Sequence, residues 1–265
     1  PVVGDLYFEL HEEKREIYVV THVDEGAWPG GRGGIRYGFD PQRLAEYSDE
    51  TAFRQAYLAA VKDYEAVRRE LDALPTEQPP AGLLAREEEL RAAMNSFTHL
   101  RELAVGDVVV VPLLMPHSLQ HGVRTIEFQT PVYERKILSF AQQVLTQDHW
   151  DTESAVRQMR LEPPPEESFT LLRDEPGIRG ERMVDFPDFE VRRIRLERGA
   201  VLALESLGHY GLLMGVSGAL DLDGLQLGPE QAVLLPRHWE GQVAPLSSAP
   251  EPASPLVLLL AEPRL

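Results

Sequence analysis

The segment Gly106-Asp-Val-Val-Val-Val-Pro112-Leu-Leu-Met-Pro-His117 constrains this chain more than any other. Four consecutive valines disfavour helix, where β-branched side chains lose χ1 freedom, and suit a pleated sheet. The run is far shorter than the roughly 20 apolar residues of a membrane helix. A glycine opens it and a proline closes it, as turn residues do at strand ends. His117 follows five residues after Pro112. A histidine held at a rigid strand end can point inward, where its neutral nitrogen is a metal ligand. Taken alone, such a histidine is more often an ordinary packing residue.

The N-terminus supplies matching groups. In Tyr7-Phe-Glu-Leu-His11, residues 7, 9 and 11 share one face of a strand, and Phe8 and Leu10 share the other. A second β-rich run follows from Glu16 to Val23. Glu9, His11, Glu16 and His117 together give a nitrogen–oxygen coordination set. The chain has no cysteine, so thiolate sites and disulfides are excluded. The set suits Zn2+ without excluding manganese, iron or nickel. Glu9 and Glu16 taken singly could be solvated strand-edge charges; the joint spacing favours one metal site. His22, His99, His121, His149, His209 and His238 lack such support and read as surface or packing residues.

Between these two regions the periodicity changes. Phe53, Ala56, Tyr57, Ala60, Tyr64, Val67 and Leu71 recur at helical spacing, with Ser48 as the expected N-cap and Asp49 and Glu50 in the first turn. Pro75 to Gly82 breaks the pattern, and a second helix is expected over Leu83–Phe97 with Leu84, Leu90, Met94 and Phe97 on its apolar side. The glycine-rich stretch Gly26–Gly34 reads as a turn cluster, since no Lys-Ser/Thr ending or following helix makes it a phosphate loop. Ile35–Phe39 is a short strand. Strands return at Val105, through Val108–Val111, Val123–Gln129 and Tyr133–Phe140. Asp151 is expected to cap a short helix over Glu153–Met159. Residues 161–182, rich in Pro, Glu and Gly, read as a linker. From residue 183 onward short strands with Gly/Pro turns dominate (Val191–Leu196, Val201–Leu204, Leu212–Val216, Ala219–Leu222, Ala232–Leu235, Val257–Leu260), and Ser247–Ser254 is a loop.

The net charge of −17 argues against a nucleic-acid partner, because phosphate backbones are held by clustered Lys and Arg. It leaves room for a small anion that meets local arginines. There is no membrane span and no secretory signal, and the absence of cysteine fits a cytoplasmic location. The abrupt opening at Pro1 suggests that further residues precede it.

On these segments the chain resembles the cupin superfamily, and within it the type I mannose-6-phosphate isomerases (phosphomannose isomerases). Phe8-Glu9-Leu10-His11 looks like that family's Gln-x-His strand. Lys14-Arg-Glu16-Ile-Tyr-Val-Val resembles its Lys-x-Glu strand. The Gly106–His117 segment resembles its Gly-Asp-x-x-x-x-Pro-x-x-x-x-His segment, with Leu114 where glycine is usual. Gly122-Val-Arg-Thr-Ile-Glu127-Phe-Gln resembles the strand that follows. The resemblance implies a mainly β fold of two cupin-type (double-stranded β-helix, jelly-roll) barrels. The first is a metal-binding domain over 1–160 with an α-helical insertion at about 41–104. The second, over 183–265, is metal-free, since five residues past Pro236 lies Gly241 rather than histidine.

The resemblance also implies zinc at Glu9, His11, Glu16 and His117, with Lys14 and Arg135 facing the substrate. The implied reaction interconverts mannose 6-phosphate and fructose 6-phosphate by moving a proton between C1 and C2. Glu9 stands for the usual glutamine, and Pro131 for an aspartate often found four residues before the arginine. The loop between His11 and Glu16 is short, and the strands that normally precede the first motif are absent. Another metal-dependent cupin enzyme of the dioxygenase type, or a non-catalytic sugar- or metal-binding cupin, are the alternatives. The expected partner is a small sugar phosphate, and the expected state a monomer or homodimer.

Overall fold

The computed structural model describes residues 7–74, 79–142, 147–246 and 255–264. Two β-sandwich barrels follow one another along the chain. In the first, β1 (Phe8–Leu10), β3 (Gly33–Phe39), β4 (Thr98–Leu103), β6 (His117–Leu119) and β8 (Lys136–Ser139) form a sheet of order β4-β3-β6-β1-β8. It faces a smaller sheet, β5-β2-β7, built from β2 (Glu16–Val23), β5 (Val108–Val111) and β7 (Val123–Gln129). The mainly β architecture expected from the sequence is observed.

Both outer faces of this barrel are covered. On the larger sheet, Phe8, Leu10, Phe39 and Leu138 pack against Phe53, Tyr57, Val61 and Tyr64 of α2 (Glu50–Asp72), with Met94 of α3 (Ala81–Asn95) and Val156 of α4 (Thr152–Gln158). On the smaller sheet, Ile17, Val19, Val108 and Ile126 pack against Met183, Val191, Leu259 and Ala261 of the second barrel. The interior holds the alternate residues: Tyr18, Val20, Ile35, Tyr37, Val109 and Val111. The four valines of β5 are thus shared between two cores, which is why they show no polar alternation.

The second barrel comprises β9 (Thr170–Glu175), β10 (Ile178–Asp185), β11 (Phe189–Leu196), β12 (Leu202–Leu204), β13 (Gly211–Ser217), β14 (Leu220–Leu222), β15 (Leu225–Leu227), β16 (Ala232–Leu235), β17 (Gly241–Pro245) and β18 (Leu256–Pro263). Its sheets run β16-β13-β18-β11-β10-β9 and β12-β17-β14-β15 around a leucine-rich core.

Several expectations are corrected. The stretch 161–182 contains β9 and the first part of β10, which pair antiparallel with each other, so from Thr170 onward it is mostly sheet rather than linker. Its polar residues misled because β9 is an edge strand. The N-cap of α2 is Asp49, whose side chain accepts from Ala52 N at 2.8 Å, not Ser48. The second helix runs Ala81–Asn95, and Leu84 on its expected apolar side is 46% exposed. The region expected to be helical insertion also carries strand β4 and a one-turn helix α1 (Pro41–Ala45), capped by Asp40. Asp151 precedes α4 without a capping hydrogen bond, since its carboxylate instead accepts from Ile137 N at 3.0 Å. Gly33 and Gly34 belong to β3, and a Cβ at Gly33 would meet Val123 Cγ2 at 2.2 Å. The loop expected at Ser247–Ser254 lies outside the described residues.

Candidate metal centre

Strand alternation in β1 sends Phe8 and Leu10 outward to the helices and Glu9 inward. His11 follows two residues later on the same face. Glu9 registers with His117 of β6, and His117 with Tyr37 of β3, so the three form one inward-facing row. Among the described residues, Glu9, His11 and His117 are the one set of three carboxylate or imidazole groups whose ligand atoms all lie within 4.8 Å of one another. The opposite sheet brings Glu16, at the start of β2, to the same point. Its Oε1 lies 3.2 Å from His11 Nε2, and its Oε2 lies 3.1 Å from His117 Nε2. The four side chains singled out from the sequence therefore meet.

The backbone fixes which nitrogen each imidazole presents. His11 Nδ1 lies 2.8 Å from the Glu134 carbonyl, and His117 Nδ1 lies 3.0 Å from the Met115 carbonyl. A carbonyl only accepts, so Nδ1 carries the hydrogen in both rings and Nε2 is left to face the site. The carbonyl of Met115 is aimed by a tight bend in which Leu114 adopts φ 65°. Leu114 N also donates to His11 O at 2.8 Å, tying the two histidine segments together.

The centre is buried and charged. His11, Glu16 and His117 are 1%, 1% and 2% exposed. Burial opposes ionisation of Glu16, but the two imidazoles beside it outweigh burial and hold its carboxyl well below the usual range. Burial likewise opposes charge on His117, and the hydrogen bond and charge of Glu16 overcome it and raise the imidazole. Tyr18 donates its hydroxyl to Glu16 Oε2 at 2.7 Å, and burial next to that carboxylate keeps the phenol protonated.

Lys14 and Arg135 border the same centre. Lys14 Nζ lies 2.5 Å from Glu16 Oε1 and donates to Gln129 Oε1 at 3.2 Å. Arg135 sits on the loop ahead of β8, a region expected to be strand from Tyr133 onward. Its Nη1 lies 3.4 Å from Glu9 Oε2, and its guanidinium lies 4.9 Å and 5.2 Å from the ring centres of Tyr7 and Tyr133.

Two inward-facing residues of β7 were given no role by sequence reasoning. Glu127 and Gln129 register with Tyr18 and Glu16 of β2 and share their inward face, yet both are exposed. Small barrels ordinarily fill their interiors. Here two inward positions of β7 instead hold polar residues that reach solvent. Although Glu127 as a whole is exposed, its carboxyl is withdrawn from water beside Glu16, and that desolvation together with the Glu16 charge pushes it up to about 7. Their alternation with Ile126 and Phe128 was visible in the sequence, but which face was inward was not.

The residues present fit a divalent cation. His11 Nε2 is buried and makes no hydrogen bond of good geometry, with only Glu16 Oε1 near it at 3.2 Å. A second imidazole nitrogen and the carboxylates of Glu9 and Glu16 surround it, a hard-to-borderline donor set. The proton between His117 Nε2 and Glu16 is one that a bound cation would displace.

No protein-family model and no curated protein matches the chain. Solved structures do. The mannose 6-phosphate isomerase from Bacillus subtilis matches over 98% of this chain and 72% of its own, with TM-score 0.63 and 11% identity. A zinc-bound mannose 6-phosphate isomerase matches over 99% and 76%, with TM-score 0.65 and 12% identity. A lysine-to-alanine variant of the phosphomannose isomerase from Salmonella typhimurium matches over 99% and 77%, with TM-score 0.64 and 12% identity. The chain has the mannose-6-phosphate isomerase fold.

The match over nearly the whole chain means that both barrels and the helical layer belong to the mannose-6-phosphate isomerase architecture. The chain spans about three quarters of the length of these mannose-6-phosphate isomerases. No helix among the described residues is long and apolar enough to cross a membrane.

Proposed function

We propose that the chain is a metal-dependent aldose–ketose isomerase that interconverts mannose 6-phosphate and fructose 6-phosphate. The observation that carries this reading is the meeting of His11 Nε2, His117 Nε2 and the carboxylates of Glu9 and Glu16 at one point, bordered by the cations of Lys14 and Arg135. A site of that kind could hold a small polar molecule by its two cations against a bound divalent ion. The likeness to mannose-6-phosphate isomerases supports the substrate class.

Glu9, His11, Glu16 and His117 would hold one divalent ion, with zinc the preferred identity. Such an ion supplies Lewis acidity that stabilises negative charge on the sugar's C1 and C2 oxygens. The rest of the chemistry falls to the chain. Moving a proton between C1 and C2 develops charge on oxygen, and Arg135, at the rim beside Glu9, offers a fixed cation for it. Lys14, clamped between Glu16 and Gln129, positions a sugar hydroxyl or carries the proton. Glu127 shares the inward face of Tyr18 and Glu16 and is a second candidate for handling the proton.

The deciding experiment combines metal analysis of the purified protein with a coupled assay of mannose 6-phosphate conversion. Stoichiometric zinc with turnover, both lost in His117→Ala, is the expected result. Unchanged turnover in His117→Ala would refute the site. Bound zinc without turnover in the unaltered protein would favour a non-catalytic sugar-binding role. Iron as the resident metal would favour oxygen chemistry.

A further inference from the structure

Glu134 has no part in the sequence reading, yet it meets the metal centre twice. Its carbonyl accepts from His11 Nδ1 at 2.8 Å. Its side chain reaches the link between the two N-terminal strands, where Oε2 accepts from Glu12 N at 2.9 Å and from Glu13 N at 3.2 Å. The next residue is Arg135, whose Nη1 lies 3.4 Å from Glu9 Oε2.

That link needs a tether. His11 and Glu16 approach the centre from opposite sheets, and residues 12–15 between them form neither helix nor strand. The Glu16 end is fastened by main chain: Arg15 N donates to Thr130 Oγ1 at 3.0 Å, and Thr130 N donates to Arg15 O at 3.0 Å. At the His11 end, Lys136 Nζ lies 3.1 Å from Glu12 Oε2, a pair open enough to water to contribute little. The two bonds from Glu12 N and Glu13 N to a carboxylate are charge-assisted and stronger. Charge balance does not select this placement. It sets a carboxylate against the backbone of two further glutamates in a chain of net charge −17, where like charges repel. The two amide donors are what offset that repulsion.

We propose that Glu134 is a positioning residue for the metal centre. Its carboxylate clamps the His11–Glu16 link, so that its own carbonyl keeps the His11 imidazole turned with Nε2 toward the cation. Partners that orient a ligand in this way set metal affinity. The clamp needs an acceptor rather than a charge. Glu134 Oε1 is buried with no hydrogen-bond donor, so the amide nitrogen of a glutamine in its place forfeits no bond. The main-chain carbonyl survives any substitution, so a variant isolates the side chain. The proposal rests on the four-ligand metal centre, and not on the sugar or on turnover.

Two measurements on the full chain test it. The first is competition of the metal-stripped protein with a chromophoric chelator for Zn2+. Glu134→Ala is expected to weaken zinc about 10- to 100-fold, and Glu134→Gln less than about threefold. The second is amide hydrogen exchange at Glu12 and Glu13 without metal. It is expected to be slowed about tenfold or more in the unaltered protein and in Glu134→Gln, and to lose that protection in Glu134→Ala. Unchanged zinc affinity in Glu134→Ala would overturn the proposal. So would a Glu134→Gln as weak as Glu134→Ala, since charge and not the hydrogen bonds would then set the affinity. Unprotected Glu12 and Glu13 amides in the unaltered protein would overturn it too, and that result needs no variant to fold. An unaltered protein that takes up no zinc overturns the metal centre and this role with it, a failure told apart because amide exchange still reads the clamp.

Discussion

At the scale of single residues, the centre depends on how two histidines are aimed. The left-handed backbone at Leu114 turns the chain so that Met115 O receives His117 Nδ1. A leucine there carries strain that glycine would not. Leu114→Gly is therefore expected to be more stable than Leu114→Ala by about 1 kcal/mol, although alanine usually wins that comparison, and a pair of denaturant melts reads the difference. Lys14 has a different kind of dependence. Its amine is tied to Glu16 and Gln129 rather than to the apolar core. Lys14→Met is expected to leave bound metal near stoichiometric while lowering kcat by about two to four orders of magnitude. Loss of metal in that variant would instead make Lys14 a support for Glu16.

At the scale of elements, the helical layer and the outer strands obey local rules that can be probed separately. The side chain of Asp49 satisfies a free N–H at the start of α2, while Ser48 hydrogen-bonds only its neighbour's carboxylate. Asp49→Ala is expected to cost about 1 kcal/mol and Ser48→Ala close to nothing in urea unfolding. In β10, Glu181 receives Arg179, Arg193 and Arg195. Burial raises its pKa, but the hydrogen bonds and charges of the arginines outweigh burial and lower it below the ordinary 4.5. The stabilisation is thus complete above that ordinary value and lost as pH falls through the lower folded value. The melting-temperature gap between the unaltered protein and Glu181→Gln should be constant at neutral pH and shrink on acidification. A gap that widens in acid would contradict the assigned direction.

At the scale of the whole molecule, the two barrels share one core. Ile17, Val19 and Val108 meet Val191, Leu259 and Ala261 across it, so β2 is buried on both faces. Leu259→Ala, a change at a fully buried position, is expected to cost about 2–5 kcal/mol and to lower a single thermal transition. Two separate transitions in calorimetry would show the barrels to be independent. The shared core also explains what could be read in advance. β2 and β5 were legible because burial on both faces leaves a continuous apolar run. β9 was not, because an edge strand with polar residues looks like a linker in one dimension. Glu127 was not, because inward and outward faces of β7 are decided by what packs on Ile126 and Phe128 from the other barrel.

The sequence by itself determined the strand-rich class, the amphipathic α2 and the identity of the candidate ligands Glu9, His11, Glu16 and His117. Those rest on side-chain periodicity and local spacing, which are properties of the chain. Tertiary structure alone decided that Glu16 crosses from one sheet to lie between imidazoles of the other, that both Nδ1 atoms are committed to carbonyls, and that Glu134 reaches the link between His11 and Glu16. Each of these depends on groups far apart in sequence, and the free energy of bringing them together is not written in any one segment.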